Sequence, residues 1–132
     1  MRFEKKKTLH SKELLKLYES VNWASPKDKK DKGKYLQKIY KNSQIIISAW
    51  EGKELIGAIR ALTDKELNGV IFGLIVKPKH QRKGIGKEII RRCVNQYPNI
   101  RWYVASANSS LNKFYIRAGF KKDQHHWFCL KK

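Results

Sequence analysis

The sequence predicts an α/β (α+β) fold with a mixed central sheet of about six to seven strands and about four helices. Three observations carry this. Apolar residues recur at helical spacing in four separate stretches. Three successive β runs between the second and third of those stretches read as an antiparallel meander. A strand, a basic loop, a glycine-opened helix and another short strand then follow in order, the layout of a βαβ unit with a parallel pair. With 132 residues and a hydrophobic fraction of 41%, the chain is expected to form one domain over residues 1–132 with a packed core.

From Arg2 to Leu9 the charged residues suit a weak edge strand. Ser11 can cap a first helix that carries Leu14, Leu17, Tyr18 and Val21 on one side. Trp23 to Gly33 contains Ser25-Pro26 and a run of Lys and Asp, so it reads as an exposed loop. A short helix with Tyr35, Leu36, Ile39 and Tyr40 follows. Strands are expected over Gln44–Trp50, Glu54–Leu62 and Val70–Val76, with turns at Glu51-Gly52-Lys53 and around Asn68-Gly69. Past Lys77-Pro78, the Gly84-Ile85-Gly86 segment opens a helix with Ile85, Ile89, Ile90, Cys93 and Val94 on one face. Ile100–Ala105 is the parallel partner of the Val70 strand. Asn108 or Ser109 can cap a last helix bearing Leu111, Phe114, Tyr115 and Ala118, which Gly119 terminates. Phe120–Lys132 is expected to add one or two final strands, most clearly at Trp127–Leu130.

The longest apolar runs, Ile45–Ile47 and Leu74–Val76, fall far short of the roughly 18 residues a membrane span needs. Met1–Lys7 is charged and leads into no apolar signal region, so the expected location is the cytoplasm. Two cysteines, Cys93 and Cys129, make neither a disulfide framework nor a zinc ligand set; both are expected to be reduced and buried, and no metal is expected. The 30 Lys+Arg against 11 Asp+Glu leave a net charge of +19. That surplus suits either a nucleic-acid face or anionic small molecules. Only seven of the basic residues are Arg and the Lys are scattered, which favours a solvated Lys-rich surface over a nucleic-acid interface. Edge strands at both termini leave monomer and homodimer open.

The chemistry concentrates between Val76 and Lys87. Glycines at a helix start let backbone approach a ligand, and the first helical N–H groups have no internal partners, so an anion there satisfies them. Arg82, Lys83 and Lys87 surround that point with positive charge, which suits a pyrophosphate. A Walker A loop would need Ser or Thr where Glu88 stands, and a dinucleotide fingerprint a small residue where Ile89 stands. A helix-start glycine pair alone is as often steric relief as a cradle.

The surroundings are more specific. Val76-Lys77-Pro78 followed by Gln81-x-x-Gly84-x-Gly86 resembles the acetyl-CoA signature of the Gcn5-related N-acetyltransferase (GNAT) superfamily. Asn108, Phe114-Tyr115 and Gly119-Phe120 resemble that superfamily's later pattern at matching spacing, and the expected element order agrees with it. The resemblance implies that acetyl-CoA wedges between splayed Val70 and Ile100 strands. Leu74, Ile75 and Val76 would bind the pantetheine arm and acetyl carbonyl by their main chain. Gln81, Arg82, Lys83, Gly84, Ile85, Gly86 and Lys87 would hold the pyrophosphate, and Asn108 would contact the cofactor arm or cap its helix. Gly73 fits a strand bulge. Tyr115 would be the general acid that protonates the departing thiolate, although in isolation a tyrosine on that helix face reads as core.

Amine deprotonation is less visible. Many GNAT relatives place a Glu on the bulged strand, yet Val70–Val76 has no carboxylate. Glu51, Glu54, Asp64, Asp123, His125 and His126 are the alternatives, with the histidines reading first as surface residues. Tyr18, Trp23 and Trp127 fall where the superfamily recognises its acceptor, and Tyr18–Trp23 resembles a segment of one group of small bacterial GNAT proteins; Tyr18 equally suits the core. Cys93, on an apolar stripe, is not a nucleophile. The implied activity is acetyl transfer from acetyl-CoA to a primary amine of a small molecule, or more widely of a peptide or protein, by direct attack in a ternary complex. The alternative on the same fold is a CoA-responsive or basic nucleic-acid or ribosome-associated binding module.

Overall fold

The structure is a computed structural model and describes residues 1–5, 8–23, 29–106, 109–123 and 127–130. Five strands form one sheet in chain order: β1 (Arg2–Glu4), β2 (Ile45–Glu51), β3 (Glu54–Thr63), β4 (Asn68–Val76) and β5 (Arg101–Val104). β1 to β4 pair antiparallel, and β5 joins β4 in parallel through the crossover helix α3 (Ile85–Val94). The expected meander and parallel pair are both present. Helices α1 (Ser11–Glu19) and α2 (Lys32–Lys41) cover one face; α3 and α4 (Asn112–Arg117) cover the other.

Two-sided burial explains the β2 sequence. Ile45 to Ala49 are all buried, a run apolar but for Ser48 of the kind that a strand covered on both faces needs. Ile45, Ile47, Ile59 and Ile71 pack with Ile85, Ile89 and Cys93 beneath α3, while Ile46, Leu55 and Ala58 pack with Leu14, Leu17, Leu36 and Tyr40 beneath α1 and α2. Each fully buried aliphatic side chain stabilises by about 1.5–3 kcal/mol, so this central sheet organises both layers.

Several local expectations are corrected. α1 has His10, not Ser11, at its N-cap and no side-chain capping bond, whereas Asp31 caps α2 by accepting from the Lys34 amide at 3.0 Å. Gly33 lies inside α2 rather than in the preceding loop. Asn68 and Gly69 belong to β4; the turn lies just before them, where the Asp64 carboxylate accepts the amides of Glu66, Leu67 and Asn68 at 2.8–3.1 Å. A carboxylate with three local donors outcompetes an Asn-Gly turn. A single 3₁₀ turn, Ser109–Leu111, precedes α4, which has Leu111 at its N-cap and no side-chain capping bond; Leu111 itself is exposed. The candidate cap Asn108 lies outside the described residues.

The sheet has five strands among the described residues instead of six to seven. Trp127–Leu130 forms no strand, and Phe128 and Leu130 are 96% and 95% exposed. An apolar run becomes a strand only when a ladder of hydrogen bonds receives it, and no described strand pairs with this one. Cys129 is accordingly exposed, while Cys93 is buried as expected, both as free thiols.

Burial pushes the Cys93 thiol from 9.0 up to about 12. Below pH 9 it is neutral whether the chain is folded or unfolded. Above that the unfolded chain ionises first, so stability falls as pH rises toward 12. Tyr40, raised well above 10.0 by burial, acts in the same direction at higher pH. From neutral pH to about 9 these two groups should therefore leave the melting temperature level, and above that they should lower it. Cys93→Ala should flatten the first part of that decline in calorimetric melts, and an unchanged slope would remove the thiol from the alkaline transition.

Candidate active site

The site begins with one extra residue in β4. Ala58 pairs with Ile75 and Arg60 with Phe72, so Gly73 and Leu74 together oppose Ile59. Gly73 adopts φ +56°, a left-handed conformation that costs glycine nothing. A Cβ there would sit 3.1 Å from the Tyr18 hydroxyl and 3.9 Å from Arg60 Nε. On its other edge β4 pairs with β5 only as far as Ile71 opposite Val104, and the Ala105 amide closes the ladder on the Ile71 carbonyl at 3.1 Å. From Phe72 to Val76 that edge has no strand partner among the described residues. The two parallel strands part there, with Leu74, Ile75 and Val76 half-buried along the opening.

At the mouth of this fork the chain makes a 3₁₀ turn, Pro78–His80, then the loop into α3. Gln81 Nε2 donates to the Val76 carbonyl at 2.9 Å and ties the loop to the strand end. Arg82 and Gly84 take positive φ, +65° and +81°, and Gly84 is the N-cap of α3 without a side-chain capping bond. A Cβ on Gly86 would lie 3.1 Å from Phe114 Cζ and 3.7 Å from Val76 Cγ2, so the helix start packs directly against the fork and α4. Arg82, Lys83 and Lys87 are exposed, and among the described residues none has an acidic partner. The one carboxylate in the first turn, Glu88, is turned to Arg91 and Arg92, which hold it down to about 2. Unpartnered amides, the helix dipole and three cations thus act together.

Tyr115 is 8% exposed and sits between the rings of Phe114 and Phe120, at centroid distances of 5.3 and 6.1 Å. It shares a packing cluster with Ile71, the last paired residue of β4, and Ile85, the first of α3. Burial raises its phenol above 10.0, so it stays protonated at neutral pH. On the opposite sheet face Tyr18 meets Trp23 edge-on at 5.2 Å and shares a 2.8 Å hydroxyl hydrogen bond with Tyr40. Trp127 lies against Tyr103 of β5, rings 5.9 Å apart, and is 64% exposed.

Of the candidate bases, Glu51, Glu54 and Asp64 are engaged elsewhere. His80, 8% exposed, has Nδ1 3.5 Å from Glu51 and Nε2 3.7 Å from Glu54. Glu54 also lies 3.8 Å from Lys77 and 3.6 Å from Lys79, with Lys77 foremost in lowering its carboxyl. These two carboxylates hold the cradle loop to the β2–β3 hairpin. Asp64 is lowered first by the Leu67 amide in its turn. Asp123 is exposed, and His125 and His126, like Asn108, lie outside the described residues. Sequence reasoning passed over Tyr40, Arg60 and His80. Arg60 carried a signal, as the one charged residue between Leu55 and Leu62 of an otherwise apolar strand. A hollow of about 630 Å³ lined by Leu67, Asn68, Arg101 and Tyr103 lies at the far end of β4 from the fork, away from Tyr115 and the cradle.

A parallel pair forked beside a bulge, with a basic helix start at its mouth, is an architecture that suits a transferase using an anionic cosubstrate. Residues 14–120 match the Acetyltransferase (GNAT) family, and the chain belongs to that family. It is 32% identical over 123 residues to the uncharacterized N-acetyltransferase ycf52 of Pyropia yezoensis, covering 89% of this chain and 68% of that protein. Its fold is similar to a GNAT family acetyltransferase of Streptococcus pneumoniae TIGR4, with TM-score 0.77, 21% identity and 98% of each chain covered. It is also similar to an aminoglycoside acetyltransferase from an uncultured soil metagenomic sample, solved with sisomicin, with TM-score 0.68, 19% identity and 98% and 96% of the two chains covered. Among the described residues no helix is long and apolar enough to cross a membrane, and no cluster of ligands for a metal ion occurs.

Gly73→Ala should cost about 1–2 kcal/mol, because a Cβ at left-handed φ is strained. Urea denaturation measures it; wild-type stability would show that the bulge relaxes into an ordinary conformation.

Proposed function

We propose that residues 1–132 act as one domain that transfers an acetyl group from acetyl-CoA to a primary amine of a small molecule by direct attack in a ternary complex. The observation that carries this reading is the fork of β4 and β5 with the cationic, uncapped start of α3 at its mouth. The chain fits the cofactor. The Gln81 amide already donates to the Pro78 carbonyl at 3.2 Å, so the amides from Arg82 to Gly86 at the uncapped helix start, with the side chains of Arg82, Lys83 and Lys87, suit a pyrophosphate. The open edge over Leu74, Ile75 and Val76 suits the amides of a pantetheine arm. Acetyl-CoA supplies the activated thioester.

As the amine nitrogen bonds to the acetyl carbon and the carbon–sulfur bond breaks, the leaving thiolate takes a proton and the amine loses one. Tyr115 holds a proton for the sulfur: its phenol is neutral at physiological pH, and burial keeps it so. Asn108 retains its proposed contact with the cofactor arm. Tyr18, Trp23 and Trp127 are proposed to flank the acceptor, a role supported by the Tyr18 hydroxyl standing over Gly73. The cytoplasm is the proposed location.

Isothermal titration with acetyl-CoA, CoA and the 3′,5′-ADP fragment tests the cradle. Binding of all three, weakest for the fragment, is expected; no binding by any would turn attention to nucleic acid as the partner of the basic surface. Tyr115→Phe should lower turnover at least about tenfold with acetyl-CoA affinity nearly intact. Unchanged turnover would take Tyr115 out of the acid role.

A further inference from the structure

The acceptor side of the fork carries a cation with no counterion. Arg60 lies on β3, opposite Phe72 of β4 and Ile46 of β2, on the sheet face that α1 and α2 cover. Its guanidinium rests over the Phe72 ring at 5.3 Å, and its Nε lies 3.9 Å from the point where a Cβ on Gly73 would stand. The Tyr18 hydroxyl lies 3.1 Å from that same point. Two hydrogen-bond donors from different elements therefore converge on the bulge.

Neither donor has an acidic partner among the described residues, although the Arg60 guanidinium also reaches the Tyr18 hydroxyl and acts to lower its phenol. Among the described residues no Asp or Glu pairs with Arg60, and β4 contributes no carboxylate along its whole length. Tyr40 is fully buried and has the Tyr18 hydroxyl as its hydrogen-bond partner. When Tyr40 donates that bond, the Tyr18 proton is free to point outward. A half-buried guanidinium presents planar, paired N–H donors that match a carboxylate or a phosphate and repel a second cation. Stacking on Phe72 also fixes its orientation, which lowers the entropy lost on capturing an anion.

Resting on the acetyltransferase reading above, we propose that Arg60 and Tyr18 bind an anionic group of the acceptor, so that the substrate is a primary amine that also carries a carboxylate or phosphate. Arg60 is a specificity-determining residue rather than a proton carrier. Polyamines and other polycationic acceptors are disfavoured by the same charge.

The test compares skeleton-matched acceptors by CoA release: L-phenylalanine with phenethylamine for a carboxylate, and phosphoethanolamine with ethanolamine for a phosphate. The anionic member of at least one pair should be preferred at least tenfold in kcat/KM, and the pair that responds identifies the group. Arg60→Gln should abolish that preference and Arg60→Lys restore part of it, with acetyl-CoA affinity by titration unchanged in both. Equal or greater kcat/KM for the members that lack the anionic group, or an unchanged ratio in Arg60→Gln, would overturn the proposal. Should no amine of the panel turn over, titration of propionate and of inorganic phosphate followed at the Arg60 Nε–H resonance decides it. A saturable shift, absent in Arg60→Gln, supports the site, and no shift for either anion overturns it. Acetyl-CoA binding, measured separately, reports on the acetyltransferase reading and not on Arg60.

Discussion

A strand that carries one residue more than its neighbour cannot keep both edges paired, and in this protein β4 is that strand. Gly73 and Leu74 share a single partner in β3, and within the same turn of chain the parallel ladder to β5 ends. The bulge bends β4 away and leaves its backbone groups open over Leu74 to Val76. Everything functional is arranged around that opening. α3 begins at its mouth, α4 places Tyr115 against its wall, and α1 brings the Tyr18 hydroxyl over the bulge itself. A fork of this kind stands open only because the rest of β4 is clamped, with β3 paired along one edge and aliphatic layers on both faces.

Charge is unevenly distributed around the fork. Arg82, Lys83 and Lys87 gather in solvent at its mouth, where an anion would meet them without the cost of desolvating a fixed partner. Glu88, close enough to spoil that field, is claimed by Arg91 and Arg92. Glu51 and Glu54 surround buried His80 and fasten the loop to the hairpin. On the α1–α2 face Arg60 has aromatic neighbours and, among the described residues, no acidic partner. Burial raises the Tyr18 and Tyr115 phenols, so both are neutral hydrogen-bond donors at physiological pH.

Much of this was legible in the linear chain. Periodicity located all four helices and the meander, because amphipathic spacing is a local property that burial then exploits. The Val76-Lys77-Pro78 and Gln81-x-x-Gly84-x-Gly86 spacings marked the end of β4 and the glycine-opened start of α3, because a strand end and a helix start leave local signatures in proline and glycine. Capping was read less well. Ser11 looked like a cap by residue type, yet His10 takes the position, since the choice depends on the angle at which the chain enters the helix. The Asn68-Gly69 turn gave way to Asp64 because three backbone amides happened to lie within reach of one carboxylate.

What the sequence determined by itself, then, is the order of the four helices, the meander and the parallel pair, and the family to which the chain belongs, all properties carried by pattern within a few residues of each other. The tertiary structure alone decided which long-range neighbours share the site. Tyr18 and Tyr40 are 22 positions apart and meet only because α1 packs on α2; Arg60 joins them because a register shift turns β3 and β4 against each other at that point. It also decided that Trp127–Leu130 is no strand. Side-chain chemistry is written residue by residue, but convergence and pairing depend on distances between elements, and those follow from packing.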